Sequence, residues 1–508
     1  MEAPEPGSAK ELADFAQLQA RLRPLFERVF PDRRAPRTVV IVPAISLDAG
    51  LLEKISGVQH YEERLLCMLL LLRLPHTRVI YVTSSPVDPA VVSYFLHLLP
   101  DVPERHARAR LTMLACHDAS IATVTEKILS RPRLMRRLSE AIGDRSIAHM
   151  TCFNVTPAER TLAVRLGIPI YGNDPALADL GSKSGSRELF AEAGVLLPPG
   201  FERLRDGQDV VGALTELRRR QPDLRRAVVK LEEGASGEGN AVFSFEGAPA
   251  GEALAGWVAD QLPKRLDYVA TDETWDAFGA KFAQMGGIVE AWVEGSGKRS
   301  PSVQGRVDPL GQNEIISTHD QILGGATGQV FLGSKFPAHE SYRLQIQEAG
   351  ERVGDVLRDR GALGRYGVDF VSLQNGDGWQ HHAIEINLRK GGTTHTFRVL
   401  QFLTDGHYDL EAGLYRTAEG EPRYYHASDN VTSPDYERFT PEDLLDVAVE
   451  YELNFHAATQ KGVFFHLLGA VAQYGKLGIV CVSDSPEAAD TLYDETVATL
   501  DREARETE

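Results

Sequence analysis

The segment 381–395, HHAIEINLRKGGTTH, constrains the fold of this chain more than any other. Side chains on a strand alternate between faces, so Ile384, Ile386 and Leu388 share one side and Glu385, Asn387 and Arg389 the other. The apolar side needs a core to pack on. The opposite side sets a carboxylate, an amide oxygen and a guanidinium in a row, ahead of a glycine-rich turn. A carboxylate and an amide oxygen two residues apart are hard donors of the kind Mg²⁺ takes alongside nucleotide phosphates. An arginine one step further can hold a phosphoryl group or a carboxylate through two N–H bonds. The same alternation also suits a half-buried strand with a solvated polar face. Other parts of the chain decide between the two.

Asp369 closes the run Gly364–Phe370, GRYGVDF, whose natural partner is the strand carrying Glu385. Two carboxylates about 4 Å apart repel by on the order of 4 kcal/mol at an effective dielectric of about 20. A divalent cation turns that repulsion into attraction. Further upstream, Lys183 begins a helix that Ser182 or Ser184 can cap and that ends near Ala193-Gly194. A helix N-terminus favours anions, and a lysine there adds charge; a solvated lysine is the plainer reading. Lys230 ends the short apolar run 227–230. The loop 233–240 follows with Gly234, Gly237 and Gly239, which suit either a phosphate cradle or a hairpin turn. The alternating run 288–294, IVEAWVE, offers a backbone edge and Glu290 to an adenine, or is a surface strand.

The 508 residues fit about three domains. The net charge of −18 argues against nucleic acid or an anionic membrane as partner, while leaving room for a local basic site. Cys67, Cys116, Cys152 and Cys481 are far apart with no CxxC, so neither a zinc site nor a disulfide framework is expected. That fits a reducing cytosol. The N-terminal stretch is acidic and lacks an apolar signal core, and the leucine-rich run 65–72 is too short to span a bilayer. A soluble cytoplasmic protein is expected.

Apolar runs at 37–45, 78–83, 111–115, 147–153 and 168–171 alternate with helical stretches at about 10–30, 61–72, 88–99, 119–129 and 131–143. That order predicts an open parallel α/β unit. It has no GxGxxG, so no dinucleotide is assigned to it. The charged start HYEER, 60–64, is either an ordinary helix start or a substrate contact. Beyond 288, two antiparallel strands (301–305 and 314–318), a glycine-rich loop at 320–329 and a helix at 341–360 are expected. After about 410 the pattern predicts a helix over 441–459, a strand pair (462–471 and 477–482) and a terminal helix over 485–506. His466, on a largely apolar strand, reads as a satisfied buried side chain.

Taken in order, these motifs resemble the ATP-grasp superfamily: lysine at a helix start, lysine closing a strand, glycine loop, Glu-x-x-Val, Asp on a strand, Glu-x-Asn-x-Arg. The runs HYEERLL, VIYVTSSPVDP, STHDQILGG, GRYGVDF and EINLRKGGTTH resemble the peptide-ligase group of the pheganomycin type. The resemblance implies an α/β chain with four parts: a pre-ATP-grasp α/β domain at 1–180, a lid subdomain at 181–287, a catalytic subdomain at 288–410 and a small α+β C-terminal domain at 411–508. It implies ATP-dependent ligation of a small-molecule or peptide carboxylate to an amine through an acyl phosphate, releasing ADP and phosphate. The rival classes are a small-molecule kinase or carboxylating ligase of the same fold, and a non-catalytic nucleotide-binding protein. Lys183 and Lys230 would contact phosphates under the 234–239 lid. Glu290 and the Ala291–Val293 backbone would hold adenine, with Glu294 the nearest acid for ribose. Asp369, Glu385 and Asn387 would bind two Mg²⁺. Arg389 would stabilise the transferred phosphoryl group, and the Gly391 N–H the oxyanion. Either Arg306 or Arg365 would supply a further arginine. The C-terminal part would cover the acyl site or form a homo-oligomer interface.

Overall fold

Continuous apolar runs fix the first layer. The computed structural model describes residues 4–45, 52, 55–234, 239–270, 273–324, 330–376 and 378–506. Its strands Arg37–Val42 (β1), Thr77–Thr83 (β2), Leu111–Ala115 (β3) and Ala148–Cys152 (β4) form a parallel sheet in the order β3-β2-β1-β4. Val39 to Val42 are buried without interruption, as a strand covered on both faces must be. The helix Pro157–Leu166 shows how the flanking helices are bounded. Thr156 and Glu159 form a capping box at its start, and Gly167, at φ 69°, ends it. The strand expected at 168–171 contributes only one bridge, Ile170 to Met150, because Pro169 has no N–H to extend the ladder. The single helix expected near 10–30 is two, Ala9–Gln19 and Leu22–Val29. Pro24 sits in the first turn of the second, where a missing N–H costs least.

An antiparallel sheet follows, formed by Gly200–Leu204 (β5), Arg226–Leu231 (β6), Asn240–Ser244 (β7), Leu266–Tyr268 (β8) and Gly287–Ala291 (β9). Its order is β5-β9-β6-β7-β8. Phe243, Phe278, Phe282 and Leu214 fill its core. Gly287 is required where β9 passes β6: a Cβ there would lie 2.1 Å from the Lys230 carbonyl oxygen.

The largest sheet has ten strands. Pro301–Val307 (β10), Asn313–Gly324 (β11), Val330–Phe336 (β12), Gly364–Asn375 (β13) and Gly378–Asn387 (β14) come first in sequence. His407–Asp409 (β15), Leu414–Arg416 (β16), Pro422–Thr432 (β17), Gly462–His466 (β18) and Lys476–Ser483 (β19) complete it. β17 pairs with both β12 and β19, so the strands after 411 continue the sheet of those before it. The helix Arg343–Asp359 packs on β10 and β11, and Pro486–Glu506 on β17 and β19. Gly392–Thr404 lies against the helical segment Val58–Arg73 of the first unit.

Three expectations change. Residues 320–324, expected in a loop, extend β11 and pair with β12 around a register shift at Ile322/Leu323; the rest of that loop, 325–329, lies outside the described residues. The helix expected over 441–459 stops at Glu450, because Glu452 turns left-handed (φ 52°) and Phe455 N–H bonds to the Val463 carbonyl. The strand expected to Val471 ends at His466, where Leu467 turns left-handed at φ 54°. Among the described residues no helix is long and apolar enough to cross a membrane. All four cysteines are buried and free.

Candidate active site

The antiparallel register of β13 and β14 sets Asp369 opposite Glu385 and Gly367 opposite Asn387. Ser302 of β10 is the other neighbour of Asp369. Asn387 Nδ2 donates to Asp369 Oδ2 at 2.8 Å, and Gln321 Nε2 donates to Oδ1 at 2.7 Å. Burial, reinforced by the Glu385 charge, pushes the Asp369 carboxyl up to about 7. Glu385 is shifted the other way. Burial opposes its charge, yet Lys183, 2.5 Å from Oε1, together with Lys230 and Arg389, outweighs burial and holds its carboxyl below the ordinary range. Burial depresses Arg389, whose charge Glu385 and Asp369 support. Its guanidinium donates to the Lys390 carbonyl at 3.0 Å and stands 5.8 Å from the Phe153 ring centre.

Lys183 opens the helix Lys183–Glu192, whose cap is Ser182, accepting from Gly185 N–H at 3.0 Å. The helix is clipped to the end of β6: Ser184 donates its N–H and hydroxyl to Glu232 at 2.6 and 2.7 Å. Lys230, on β6, is ion-paired with Glu290 of β9. The second Glu290 oxygen takes Arg187 Nη1 at 3.1 Å, and Arg187 also reaches Glu202 at 3.1 Å. Glu290 is only 3% exposed, and both of its oxygens are engaged by cations.

The segment after β9 is more open. Ala291 N–H donates to Pro199 O at 2.7 Å and Trp292 N–H to Arg226 O at 3.1 Å. Val293 N–H has no hydrogen bond among the described residues. Glu294 is exposed and held by Arg226 through two bonds of 2.9 and 2.7 Å. Gly391 N–H donates to Thr394 Oγ1 at 2.9 Å. Gly234 follows Glu232 and Glu233 past β6, and Gly239, at φ 84°, packs on Leu231. Gly237 lies outside the described residues. Arg306 and Arg365 face each other across β10 and β13. Four residues separate Arg365 from Asp369, roughly 13 Å along the strand.

The family model described as IQCH-like, ATP-grasp, matches residues 175–247 and 252–411, and that of the PGM1 C-terminal domain matches 443–496. The L-propargylglycine–L-glutamate ligase of Streptantibioticus cattleyicolor is 32% identical over 464 residues, covering 89% of this chain and 92% of that ligase. This chain belongs to the ATP-grasp family. IQ motif-containing protein H of Danio rerio is 23% identical over 400 residues, covering 70% of this chain and 38% of that protein. The ATP-grasp fold is shared with N5-carboxyaminoimidazole ribonucleotide synthetase in its ADP complex (TM-score 0.51, 14% identity, 92% of this chain and 98% of that one). It is shared as well with biotin carboxylase from Campylobacter jejuni in its β,γ-ATP complex (TM-score 0.52, 13% identity, 90% of each chain). The chain is an ATP-dependent carboxylate–amine ligase of this family.

Several residues of this ATP-grasp site escape the sequence reading. Gln321 reaches Asp369 only through strand register, which no local pattern encodes. Arg187 had a signal: it lies four residues after Lys183, on the same face of one helix. A second polar cluster lies between the helix Gly392–Thr404, β17 and β18. His395 Nε2 and His466 Nε2 stand 3.0 and 2.8 Å from Asp429 Oδ1, and Arg64 stands 2.7 Å from Oδ2. Arg64 and the two imidazoles hold Asp429 well below the usual carboxylate range against its burial. His466 is buried and its Nε2 is bonded to Asp429, while its Nδ1 has no partner among the described residues. In the HYEER run Glu62 accepts from Ser84 N–H and Oγ, and Glu63 from Gly469 N–H at 3.0 Å.

Proposed function

We propose that this ligase couples an amino acid or peptide carboxylate to an amine, using Asp369, Glu385 and Asn387 to hold two Mg²⁺ ions. The observation that carries this reading is the cluster of Lys183, Glu385, Asp369, Asn387 and Arg389 at one end of the β13–β14 ladder. The donor set fits magnesium: two carboxylates and an amide oxygen, all hard donors. Asp369 is also pushed towards protonation by its acidic neighbour, which a cation would relieve. The metal supplies charge neutralisation on the phosphates. Lys183 and Lys230 pass from their carboxylate partners to phosphate oxygens. The open N–H of Val293 is the hydrogen-bond donor available to an adenine edge.

In the first step a substrate carboxylate oxygen attacks the γ-phosphorus, the bond to the β-phosphate oxygen breaks, and ADP leaves. Arg389, in a dry setting beside both acids, stabilises the phosphoryl group and then the acyl phosphate. In the second step the amine nitrogen attacks the acyl carbon, the carbon–oxygen bond to phosphate breaks, and the amine loses its proton. Gly391 N–H would serve the oxyanion by exchanging its bond from Thr394. Among substrates, the relative named for joining L-propargylglycine to L-glutamate supports amino-acid-sized partners. Four reduced, buried cysteines support a cytoplasmic setting. Whether the C-terminal strands cover the acyl site or join copies of the chain is read from solution mass.

Incubation with Mg-ATP and pooled amino acids and peptides tests the reading. Amine-dependent ADP and phosphate, with a new mass equal to acid plus amine less water, is expected. AMP and pyrophosphate would sink it. A stable phosphoester or a need for bicarbonate would move the chain to its kinase or carboxylating relatives.

A further inference from the structure

Further along β13 from Asp369, the fold gathers cations that have almost no partners. Arg306 and Arg365 are direct cross-strand neighbours, an arrangement that ordinarily weakens a sheet. Arg37 of β1, Lys390 and Arg398 join them around a cavity of about 140 Å³ that Tyr171 and His149 also line. Of the five, only Arg306 is paired with a carboxylate among the described residues, that of Glu314. Asp308 and Asp32 act on Arg306 and Arg37 only from further off. Lys390 Nζ donates to Thr151 Oγ1 at 2.9 Å and to the Cys152 carbonyl; Arg37 donates to Val29 O at 3.3 Å. Arg365, only 8% exposed, and Arg398 make no hydrogen bond or ion pair among the described residues. The buried Nε atoms of Arg37, Arg306, Arg365 and Arg398, with Tyr171 Oη and His149 Nδ1, lack partners there too. Burial and mutual repulsion hold Arg365 far below its ordinary value and bring Lys390 down to about 7.

A folded protein does not keep buried charges unpaired without a counter-charge. Arginine forks present paired N–H groups that match carboxylate and phosphate oxygens. The cations arrive from β1, β10, β13, the turn after β14 and the helix Gly392–Thr404, so they surround the cavity and do not line one wall. A single monoanion would leave most of them uncompensated, and the volume admits several water-sized groups. We propose that this cavity binds a compact polyanion, a small molecule carrying two or more carboxylate or phosphate groups. Lys390 follows Arg389 directly, so the occupant bridges the first unit to the turn that carries the phosphoryl-binding arginine. Two sources share this chemistry: the far end of an acidic substrate, and a separate effector.

The test uses the full chain without magnesium, at constant ionic strength, with tricarballylate, inorganic pyrophosphate, inorganic phosphate and acetate as probes. Calorimetry and thermal melting are read together. Tricarballylate or pyrophosphate is expected to bind at least tenfold more tightly than acetate and to raise the melting temperature. Arg365→Met with Arg398→Met should weaken that binding at least tenfold while melting no lower than the parent in the absence of probe, because the pair removes uncompensated charge. Should the double variant not fold, Arg398→Gln alone carries the same comparison. Lys230→Ala, in the nucleotide cleft, should leave the probe's affinity unchanged. Equal binding by the cavity variants, loss of binding in Lys230→Ala, or no binding by either polyanion would overturn the proposal. Under turnover with Mg-ATP, a polyanion found within the product mass is a substrate, and one that alters ADP release without being consumed is an effector.

Discussion

The nucleotide cleft and the basic cavity share β13, through Asp369 and Arg365, and both are built from lysine and arginine. They are balanced in opposite ways. In the cleft both lysines and Arg187 have acids in contact: Lys183 has Glu385, Lys230 has Glu290, and Arg187 bonds to both Glu290 and Glu202. In the cavity, among the described residues, only Arg306 of the five cations is paired with a carboxylate, that of Glu314. The first arrangement keeps these charges paired while empty, and in the proposed mechanism phosphates enter it by exchanging partners with carboxylates already there. The second is held together by backbone and packing while its charges repel, so its ligand supplies the missing half of the interaction. Charge removal should therefore have opposite signs in the two places.

The largest expected effect is on chemistry in the cleft. Lys230→Ala and Glu385→Ala should each lower ADP release by on the order of 10²–10³-fold, the usual loss when one preorganised charge is removed from a transition state. Rates near the parent's would break the comparison at once, since the paired cations would then be structural only. Next comes stability. Glu290→Gln leaves Lys230 and Arg187 buried beside a neutral amide and should cost about 3 kcal/mol by denaturant unfolding, as breaking a buried pair does. It should also raise KM for ATP, because Lys230 loses its orienting partner. Cavity variants should show no such loss, and a matching loss there would erase the contrast.

A smaller effect concerns pH. Without metal, folded Asp369 keeps its proton up to about 7, whereas the unfolded chain releases it near the ordinary value of about 4. Between those limits the folded state binds the extra proton, so stability falls as pH rises. Asp369→Asn should remove that slope and raise the metal-free melting temperature at pH 8 by about 2 °C. Magnesium should raise the parent and spare the variant. A parent whose melting temperature is flat from pH 5 to 8 without metal would mean the two acids do not repel as placed.

Much of this architecture was legible in the residues, and the reason is periodicity. Alternation in 381–389 gave the face that carries Glu385, Asn387 and Arg389, and antiparallel register with β13 then brought Asp369 opposite. Apolar runs marked all four strands of the first sheet. What remained hidden depends on partners distant in sequence. Glu290 looked like a free acid on an edge, yet Lys230 and Arg187 take both of its oxygens. Gly391 looked like an open N–H, yet Thr394 three residues on accepts it. The basic cavity was less visible still: its cations come from residues 37, 306, 365, 390 and 398, and no local window shows them as neighbours. The C-terminal strands read as a separate texture, but β17 bonds to β12 and continues the same sheet.

The smallest expected effect is at the rim of the cleft. Glu294 follows the segment proposed to face adenine, and Arg226 grips it at 2.9 and 2.7 Å in an exposed setting. An exposed pair of this kind contributes about 0.2–1 kcal/mol, so Glu294→Ala should leave stability nearly unchanged. Its effect on ATP separates two roles. If Glu294 exchanges Arg226 for ribose hydroxyls, as Lys183 and Lys230 exchange their acids for phosphates, KM for ATP should rise several-fold at constant kcat, and Arg226→Ala should not reproduce the rise. If the pair only pins Trp292, whose ring lies 4.9 Å from the Arg226 guanidinium, both substitutions should act alike and weakly. The first result extends partner exchange from the phosphate end of the cleft to its rim; the second confines it to the buried lysines.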